Sequence, residues 1–473
     1  MSTSRLARHW LITWILVGLL LVTMVAGFVF WHPVMRAVGA ETTGAPTTIS
    51  PSLLMPPPAP SATPTADGGP VGDPVTAESG RLPVRAKVEQ RLNTLDITKL
   101  IAGADALQLA YEVVDAETGQ VVASRDADAL LIPASNTKLL SVTAVMHAMD
   151  RQTRFPTRVM QPVAGSIVLV GGGDPMLTAE PTTTYPGQVS LQELATSTAA
   201  ALVEAGTTSV SLAFDASLFS DPGWNETWPA DYRNQVTQLS ALWVDEGREP
   251  AGGRSRTSAL SAATIFATQL TAAGITVTGV PVAAKATGEE IARVESAPLH
   301  VLAEQMMLRS NNSFAEVLGM QLAAATGHPT TFAGSVAAIE EQLRELSLWT
   351  NGAVLRDASG LSRSNVVSAE MLARTVRRAV DDPSLSLLLD GLPVAGVTGT
   401  LADRFSDDVS RPARGVAKAK TGALTRVASL AGTTVTADGR SLAFAFLTNG
   451  SADGFSARVW ADQGVGVITS CGC

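Results

Sequence analysis

The sequence has few of the residues that cross-link small proteins or bind structural metals. Its only two cysteines, Cys471 and Cys473, stand at the extreme C-terminus of a 473-residue chain, so no disulfide framework shapes the fold. Its five histidines are scattered, with no H-E-x-x-H motif and no Cys/His cluster. The usual zinc sites are thereby excluded. We expect neither a metal nor a cofactor.

Positive charge is also scarce. The chain carries 34 basic and 43 acidic residues, for a net charge of −9, and only six of the basic residues are lysines. Proteins that bind nucleic acid normally present a basic face, so no nucleic-acid partner is expected. Hydrophobic residues make up 46% of the chain and charged residues 16%, which is enough apolar material for a sizeable core.

The first 83 residues are expected to precede the folded part. The apolar run from Trp10 to Trp31 is long enough to span a membrane and follows Arg5 and Arg8, which favour a cytoplasmic N-terminus. We therefore expect an uncleaved anchor, with everything after it outside the cell membrane. The alternative is a signal peptide cleaved after Ala40, which would give a secreted protein. Residues 32–83 are rich in Pro, Thr and Ala and are expected to form an extended linker.

Beyond the linker, strand patterns stand at both ends of the chain and helical patterns dominate from about 298 to 390. The last three strand candidates are Gly415–Lys420, Arg426–Val435 and Ser441–Leu447. This order predicts an antiparallel sheet, assembled from both ends of the sequence and flanked by helices. Strands and helices alternate between about 155 and 295, which indicates an inserted mixed α/β domain. The fold class is therefore α/β (α+β).

The first candidate for chemistry is a Ser-x-x-Lys motif, Ser135 to Lys138, at the expected start of a helix. Residues three apart share a helix face, so the lysine amine can reach the serine oxygen. Leu139, Leu140 and Val142 follow and would bury the lysine stem. Burial disfavours the charged amine and makes it a plausible base for a serine nucleophile.

Two further motifs follow in order along the chain. Ser310-Asn311-Asn312 lies between two amphipathic helices, roughly 298–308 and 313–325, and can aim a hydroxyl and a carboxamide into a cleft. Lys420-Thr421-Gly422 lies on an alternating strand, where the glycine allows close backbone approach. Each motif alone is weak, because Ser and Asn are also ordinary helix caps. Together, their order and structural context match the motif set of the penicillin-recognising serine enzymes.

The chain resembles the low-molecular-mass class C penicillin-binding proteins, a D-alanyl-D-alanine carboxypeptidase/endopeptidase family. Residues 171–175, 357–363 and 392–396 also resemble that family, and about 170 residues separate Lys138 from Ser310, which leaves room for an insert. The resemblance implies a penicillin-binding-protein/β-lactamase-like catalytic domain. The expected boundaries are a cytoplasmic N-terminus at 1–9, an anchor at 10–31, a linker at 32–83, catalytic parts at 84–154 and 296–473, and an inserted domain at 155–295.

The resemblance also implies roles for individual residues. Ser135 would be the acylated nucleophile and Lys138 its base, while Ser310 and Lys420 would pass a proton to the departing D-alanine. Asn312 would hold the substrate amide, and the backbone N–H groups of Ser135 and Ala423 would form the oxyanion hole. The strand from Lys420 to Ala423, including Gly422, would pair with the substrate backbone, and Lys420 and Thr421 would attract its carboxylate. The implied partners are peptidoglycan stem peptides, with β-lactams as inhibitors.

One position departs from the family pattern. Members of the family usually carry Ser or Thr directly after Lys-Thr-Gly, and this chain carries Ala423. The backbone N–H survives the change and the hydroxyl does not, which favours endopeptidase action or weak activity over efficient carboxypeptidase action. Two other interpretations stay open: a β-lactamase-like hydrolase, and a catalytically weak peptidoglycan-binding module.

Overall fold

The computed structural model describes residues 80–101, 107–183, 186–220, 223–249 and 252–472. Residues 77–473 form one compact unit. The anchor expected at Trp10–Trp31 and nearly all of the linker lie outside the described residues. Within the described ranges, no helix is both long and apolar enough to cross a membrane.

A five-stranded antiparallel sheet joins the two ends of the folded chain. Its strands are β1 (Gln108–Asp115), β2 (Val121–Arg125), β8 (Lys418–Leu424), β9 (Val427–Val435) and β10 (Ser441–Asn449). Their order is β2-β1-β10-β9-β8, so an early strand pairs with the last one, Gln108 opposite Asn449. The expectation of an antiparallel sheet built from both ends of the sequence is confirmed.

Helices cover both faces of this sheet. They are α1 (Arg85–Asn93), α2 (Thr98–Ile101), α3 (Thr137–Ala148), α6 (Leu299–Arg309), α7 (Asn312–Ala325), α8 (Phe332–Glu345), α9 (Ala369–Asp381), α10 (Leu387–Asp390) and α11 (Gly454–Thr469). Alternate residues of β10 enter two separate apolar cores, with Ala443 and Ala445 on the side of α3 and α9, and Phe444 and Phe446 on the side of α1 and α11. Because alternate side chains of β10 enter different cores, both sets are apolar, and the sequence of the strand is therefore continuously hydrophobic.

A second five-stranded sheet lies between residues 156 and 295. Its strands are β3 (Pro156–Val163), β4 (Ser166–Val170), β5 (Ser209–Asp215), β6 (Thr276–Ala283) and β7 (Glu289–Glu295), and its helices are α4 (Leu191–Glu204) and α5 (Ser258–Ala272). The order is β6-β5-β4-β3-β7, with parallel pairing along β4-β5-β6 and antiparallel pairing elsewhere. The two helices share an apolar core with the sheet. The mixed sheet fits the fold class expected for an insert, while the boundary at 155–295 stays a prediction.

The strand expected at Gly415–Lys420 is displaced along the chain. The observed strand begins at Lys418 and runs to Leu424. Residues just before it pair with a different segment, since Gly415 N donates to Ala395 O and Ala395 N donates to Ala417 O. Gly415 and Val416 of the expected strand lie in a turn, and Thr421 to Ala423 fall within the strand itself.

The C-terminus contains a disulfide. Cys471 is disulfide-bonded, and the sequence has one other cysteine, Cys473, which lies outside the described residues. The sequence alone is compatible with either a local disulfide or a free thiol pair at these two positions, and the bonded state of Cys471 excludes the free thiol pair.

Candidate active site

Ser135 lies in a tight turn, and two neighbouring segments pack closely against this turn because each has a glycine at the point of contact. The turn is the 3-10 helix Ala134–Asn136, directly before α3, and Ala134 has a left-handed φ of 47°. A Cβ at Gly360 would lie 1.9 Å from the Ala134 carbonyl oxygen, and one at Gly422 would lie 2.6 Å from the Pro133 carbonyl oxygen. Only glycine lets both neighbouring segments approach so closely, which explains the glycine of the Lys-Thr-Gly motif.

Lys138 lies wholly buried beneath the serine. Its Nζ is 3.0 Å from Ser135 Oγ, 2.7 Å from Asn312 Oδ1 and 2.6 Å from the Ser359 carbonyl oxygen. Burial lowers the pKa of Lys138 from its ordinary value to about 7, against the opposing effect of Asp357 and Glu316. The amine therefore contacts the serine hydroxyl and exchanges its proton near neutral pH.

Two buried carboxyl groups lie behind Lys138, and the sequence analysis assigned neither of them a role. Glu316, one helical turn after Asn312, accepts hydrogen bonds from the backbone N–H groups of Ala358 (3.3 Å) and Ser359 (2.9 Å). Burial, and then the neighbouring Asp357, raise the pKa of Glu316 to about 8. The available sequence signal was the i, i+4 spacing of Asn312 and Glu316 in an amphipathic helix.

Asp357 organises the loop that carries Ser359. Its carboxylate accepts hydrogen bonds from Trp228 Nε1, the backbone N–H groups of Gly360 and Ser362, and Asn365 Nδ2, at distances from 2.6 to 2.8 Å. A buried carboxylate with this many donors is well compensated for its lost hydration. The loop, and with it the Ser359 carbonyl that contacts Lys138, is therefore held in one conformation.

Lys420 forms the second buried lysine–serine pair. Its Nζ donates to Ser310 Oγ at 2.7 Å and to the Thr421 carbonyl oxygen at 2.8 Å. Burial, followed by the positive charges of Lys138 and Arg404, holds the pKa of Lys420 well below its ordinary range. Ser310 has a left-handed φ of 52° at the end of α6, two residues before the start of α7. The expected position of this motif between two helices is thus observed.

These residues open onto one cleft of about 450 Å³. Five of the residues expected in the site line it: Ser135, Ser310, Asn312, Thr421 and Ala423. The other three, Lys138, Lys420 and Gly422, are buried directly beneath. All eight residues expected in the site are therefore brought together. Gly360 and Leu361, from the 357–363 stretch that resembles the family, also line the cleft. It is completed by residues that the sequence analysis did not name, namely Asp231, Tyr232, Asn234, Gln235, Thr400, Leu424 and Thr425.

The cleft runs beside the last strand of the first sheet. Strand β8 pairs with β9 on one side only, and the segment 393–395 contacts its outer side near Lys418. Among the described residues, no other strand of the sheet pairs with the outer edge of β8 from Thr421 onward. An extended peptide in the cleft has a strand edge there with which to pair. No cluster of three or more metal-ligating side chains occurs in the part of the chain that the structure describes.

Comparison with known proteins agrees with this geometry. Residues 94–252 and 248–470 match the D-Ala-D-Ala carboxypeptidase 3 (S13) family. A carboxypeptidase of Mycobacterium tuberculosis is 37% identical over 435 residues, covering 88% of this chain and 90% of the relative. The carboxypeptidase DacB of Mycolicibacterium smegmatis is 35% identical over 423 residues, covering 85% and 90%.

The fold has a counterpart among solved structures. Penicillin binding protein 4 of Haemophilus influenzae aligns with a TM-score of 0.67 at 20% identity, over 80% of this chain and 97% of that one. At this identity the likeness concerns the fold alone. The family match and the two relatives, however, span most of the chain. The protein belongs to the D-Ala-D-Ala carboxypeptidase 3 (S13) family, the serine-type class C penicillin-binding proteins.

Proposed function

We propose that Ser135 is the nucleophile that cleaves the D-Ala-D-Ala bond of peptidoglycan stem peptides. Ser135 Oγ attacks the carbonyl carbon, its proton passes to the neutral amine of Lys138, and an ester forms as the C–N bond breaks. Water then hydrolyses the ester and restores the serine. The supporting observation is the 3.0 Å contact between Ser135 Oγ and a wholly buried lysine whose pKa is lowered to about 7.

The leaving D-alanine needs a proton, and the Ser310–Lys420 pair is placed to supply it. Because Lys420 Nζ donates to Ser310 Oγ at 2.7 Å, the serine keeps its own hydroxyl hydrogen for the departing amine. Lys420 then passes a proton on to Ser310. The Asn312 side chain, which lines the cleft, holds the substrate amide.

The substrate backbone pairs with β8, and its carbonyl oxygen points toward the backbone N–H groups of Ser135 and Ala423. In this arrangement the two donors stabilise the negative charge that develops on the oxygen. Thr421 and Lys420 attract the terminal carboxylate. β-Lactams present an equivalent carboxylate and amide and are expected to acylate the same serine. The penicillin binding protein 4 of Haemophilus influenzae has itself been solved in complex with a β-lactam.

The experiment is covalent labelling of the full chain with a fluorescent penicillin, followed by mapping of the labelled peptide. Label on Ser135 in the wild type, and none in Ser135→Ala, supports the assignment. Ser209→Ala, which removes an exposed hydroxyl on the second sheet, serves as the matched control and should label normally. Undiminished labelling of Ser135→Ala would refute the assignment. Rapid turnover of nitrocefin would instead favour a β-lactamase-like hydrolase.

We further propose that the chain is held at the membrane by the apolar run from Trp10 to Trp31, with the catalytic domain outside. The length of the run and the basic flank support this topology. Protease added to intact spheroplasts should release the domain and leave the N-terminal peptide in the membrane. A mature chain beginning at Glu41 would show that the segment is a cleaved signal.

A further inference from the structure

One loop of the second sheet's domain forms hydrogen bonds with the Ser310-x-Asn312 motif and the residue that follows it. The loop, residues 235–246, lies between β5 and α5. Asn312 Nδ2 donates to the Gln235 carbonyl oxygen at 3.0 Å, and the Thr237 backbone N–H donates to Ser313 Oγ at 3.0 Å. The motif is therefore tied to a loop that lies far away in sequence and carries none of the three motifs.

Glu246, at the end of this loop, makes the charged contacts. Its carboxylate pairs with Arg309 and accepts a hydrogen bond from Asn311 Nδ2 at 3.0 Å. Asn311 also caps α7, because its Oδ1 accepts a hydrogen bond from the Phe314 backbone N–H at 3.1 Å. Glu246 thus contacts the residue before Ser310 and the residue before Asn312, and it fixes the end of one helix and the start of the next.

The backbone around Glu246 is held in an uncommon conformation. Asp245, Glu246 and Gly247 have consecutive left-handed φ angles of 51°, 59° and 65°. The Glu246 carbonyl oxygen accepts a hydrogen bond from Thr237 Oγ1 at 2.6 Å, and that hydroxyl in turn accepts one from Arg254 Nη1 at 2.8 Å. Non-glycine residues are held this way only where the surrounding structure compensates for the strain. This backbone conformation directs the Glu246 side chain, which is 11% exposed, toward Arg309 beside the motif.

We infer that Glu246 is a positioning residue for the reaction, acting through Arg309 and Asn311 on the Ser310 hydroxyl and the Asn312 carboxamide. The inference rests on the proposed function of those two side chains. Without these contacts, the groups that protonate the leaving amine and hold the substrate amide are misplaced, whereas the hydrogen bond between Ser135 and Lys138 does not involve Glu246. Misplacement of reacting groups by about 1 Å lowers rates by as much as about 100-fold.

The test compares Glu246→Gln, which keeps the size and removes the charge, with Glu290→Gln. Glu290 also pairs with arginines, Arg158 and Arg293, but lies on β7 in the same domain and away from the motif. In the full chain, Glu246→Gln should lower kcat on a D-Ala-D-Ala peptide by about 10–100-fold. The Glu290→Gln variant should keep the wild-type kcat. The thermal unfolding midpoints of the two variants should be similar to each other, so that their difference in kcat does not reflect a difference in stability.

A double-mutant cycle with Arg309→Gln separates positioning from simple stability. If Glu246 acts through Arg309, the double variant should lose little more kcat than Glu246→Gln alone, because the Arg309 change removes an ion pair that the Glu246 change has already broken. Additive losses in kcat, or a fall that follows the unfolding midpoint, would overturn the inference, as would a wild-type kcat in Glu246→Gln. Penicillin labelling of wild-type Ser135 tests the proposed function separately, so the two failures can be distinguished.

Discussion

The two sides of the cleft each contain a buried lysine that contacts a serine hydroxyl, yet their electrostatic surroundings are opposite. Burial lowers the pKa of both lysines and is the largest cause for each. Around Lys138 the next influences are the carboxyl groups of Asp357 and Glu316, which raise its pKa. Around Lys420 they are two cations, Lys138 and Arg404, which lower its pKa further.

This difference suits the two different tasks that we propose. An amine with a pKa of about 7 accepts and returns a proton readily at neutral pH, as a general base must. An amine whose pKa is held well below its ordinary range gives up a proton more readily, as a group that supplies a proton to Ser310 must. The negatively charged end of an arriving substrate would favour the charged form of Lys420.

The largest effect expected from the comparison follows removal of the base. Lys138→Ala should slow acylation by penicillin by about 10²–10⁴-fold, the usual contribution of general acid–base catalysis. Lys418→Ala, which removes a partly exposed lysine from the same strand as Lys420, should label at the wild-type rate and is the control. Stopped-flow or gel-based labelling rates provide the measurement. If Lys420→Ala proves slower than Lys138→Ala, the assignment of the base is reversed.

The sequence predicted that the eight expected site residues lie together, because three short motifs in a fixed order resemble those of a known family; the residues share one cleft, and their roles stay predictions. Ser135 and Lys138 are three residues apart on consecutive turns, and Ser310 lies between two amphipathic helices. These are local patterns, and local patterns determine where a side chain points. The antiparallel sheet was predictable for a related reason, since strands at both chain ends leave few ways to close a sheet.

The residues that were missed depend on contacts between distant parts of the chain. Asp357 begins a stretch that resembles the family, but nothing in the sequence shows that Asp357 or Glu316 is buried. Only the packing of their loop and helix buries them behind Lys138. Glu246 lies more than sixty residues before the motif that it contacts. Apart from the i, i+4 spacing of Asn312 and Glu316, no periodicity links these positions to the motifs, so the proximity of Asp357 and Glu246 could only be found in the folded structure.

A second prediction concerns the carboxylate side of the cleft, where Ala423 stands in place of a hydroxyl residue. A hydrogen bond to a charged group contributes about 1.5–3 kcal/mol. Restoring a hydroxyl by Ala423→Thr should therefore raise kcat/KM on a D-Ala-D-Ala peptide by roughly 10–100-fold, if the contact forms in the transition state. Cleavage of cross-linked muropeptides, which depends more on backbone pairing, should change less and serves as the internal reference.

The structure offers a specific reason why this substitution could fail. Thr421 Oγ1 lies 2.9 Å from Thr400 Oγ1, and Thr425 also lines the cleft, so other hydroxyl groups are already present. If Ala423→Thr leaves the D-Ala-D-Ala rate unchanged or lowers it, one of these groups already binds the carboxylate. In that case the departure at position 423 does not explain a preference for endopeptidase action.

The smallest expected effect is the pH dependence of acylation in the wild type, and it bears directly on the difference between the two lysines. Only the neutral amine of Lys138 accepts the serine proton, so the rate should rise with pH and level off above its pKa of about 7. Below that pH the neutral fraction falls about tenfold for each pH unit.

Burial also raises the pKa of Asp174 to about 7, so Asp174→Asn is the matched control and should keep the same inflection. Penicillin labelling rates from pH 5.5 to 9 give the profile. A flat profile, or an inflection that is lost in Asp174→Asn but survives in the residual rate of Lys138→Ala, would mean that the base is not Lys138.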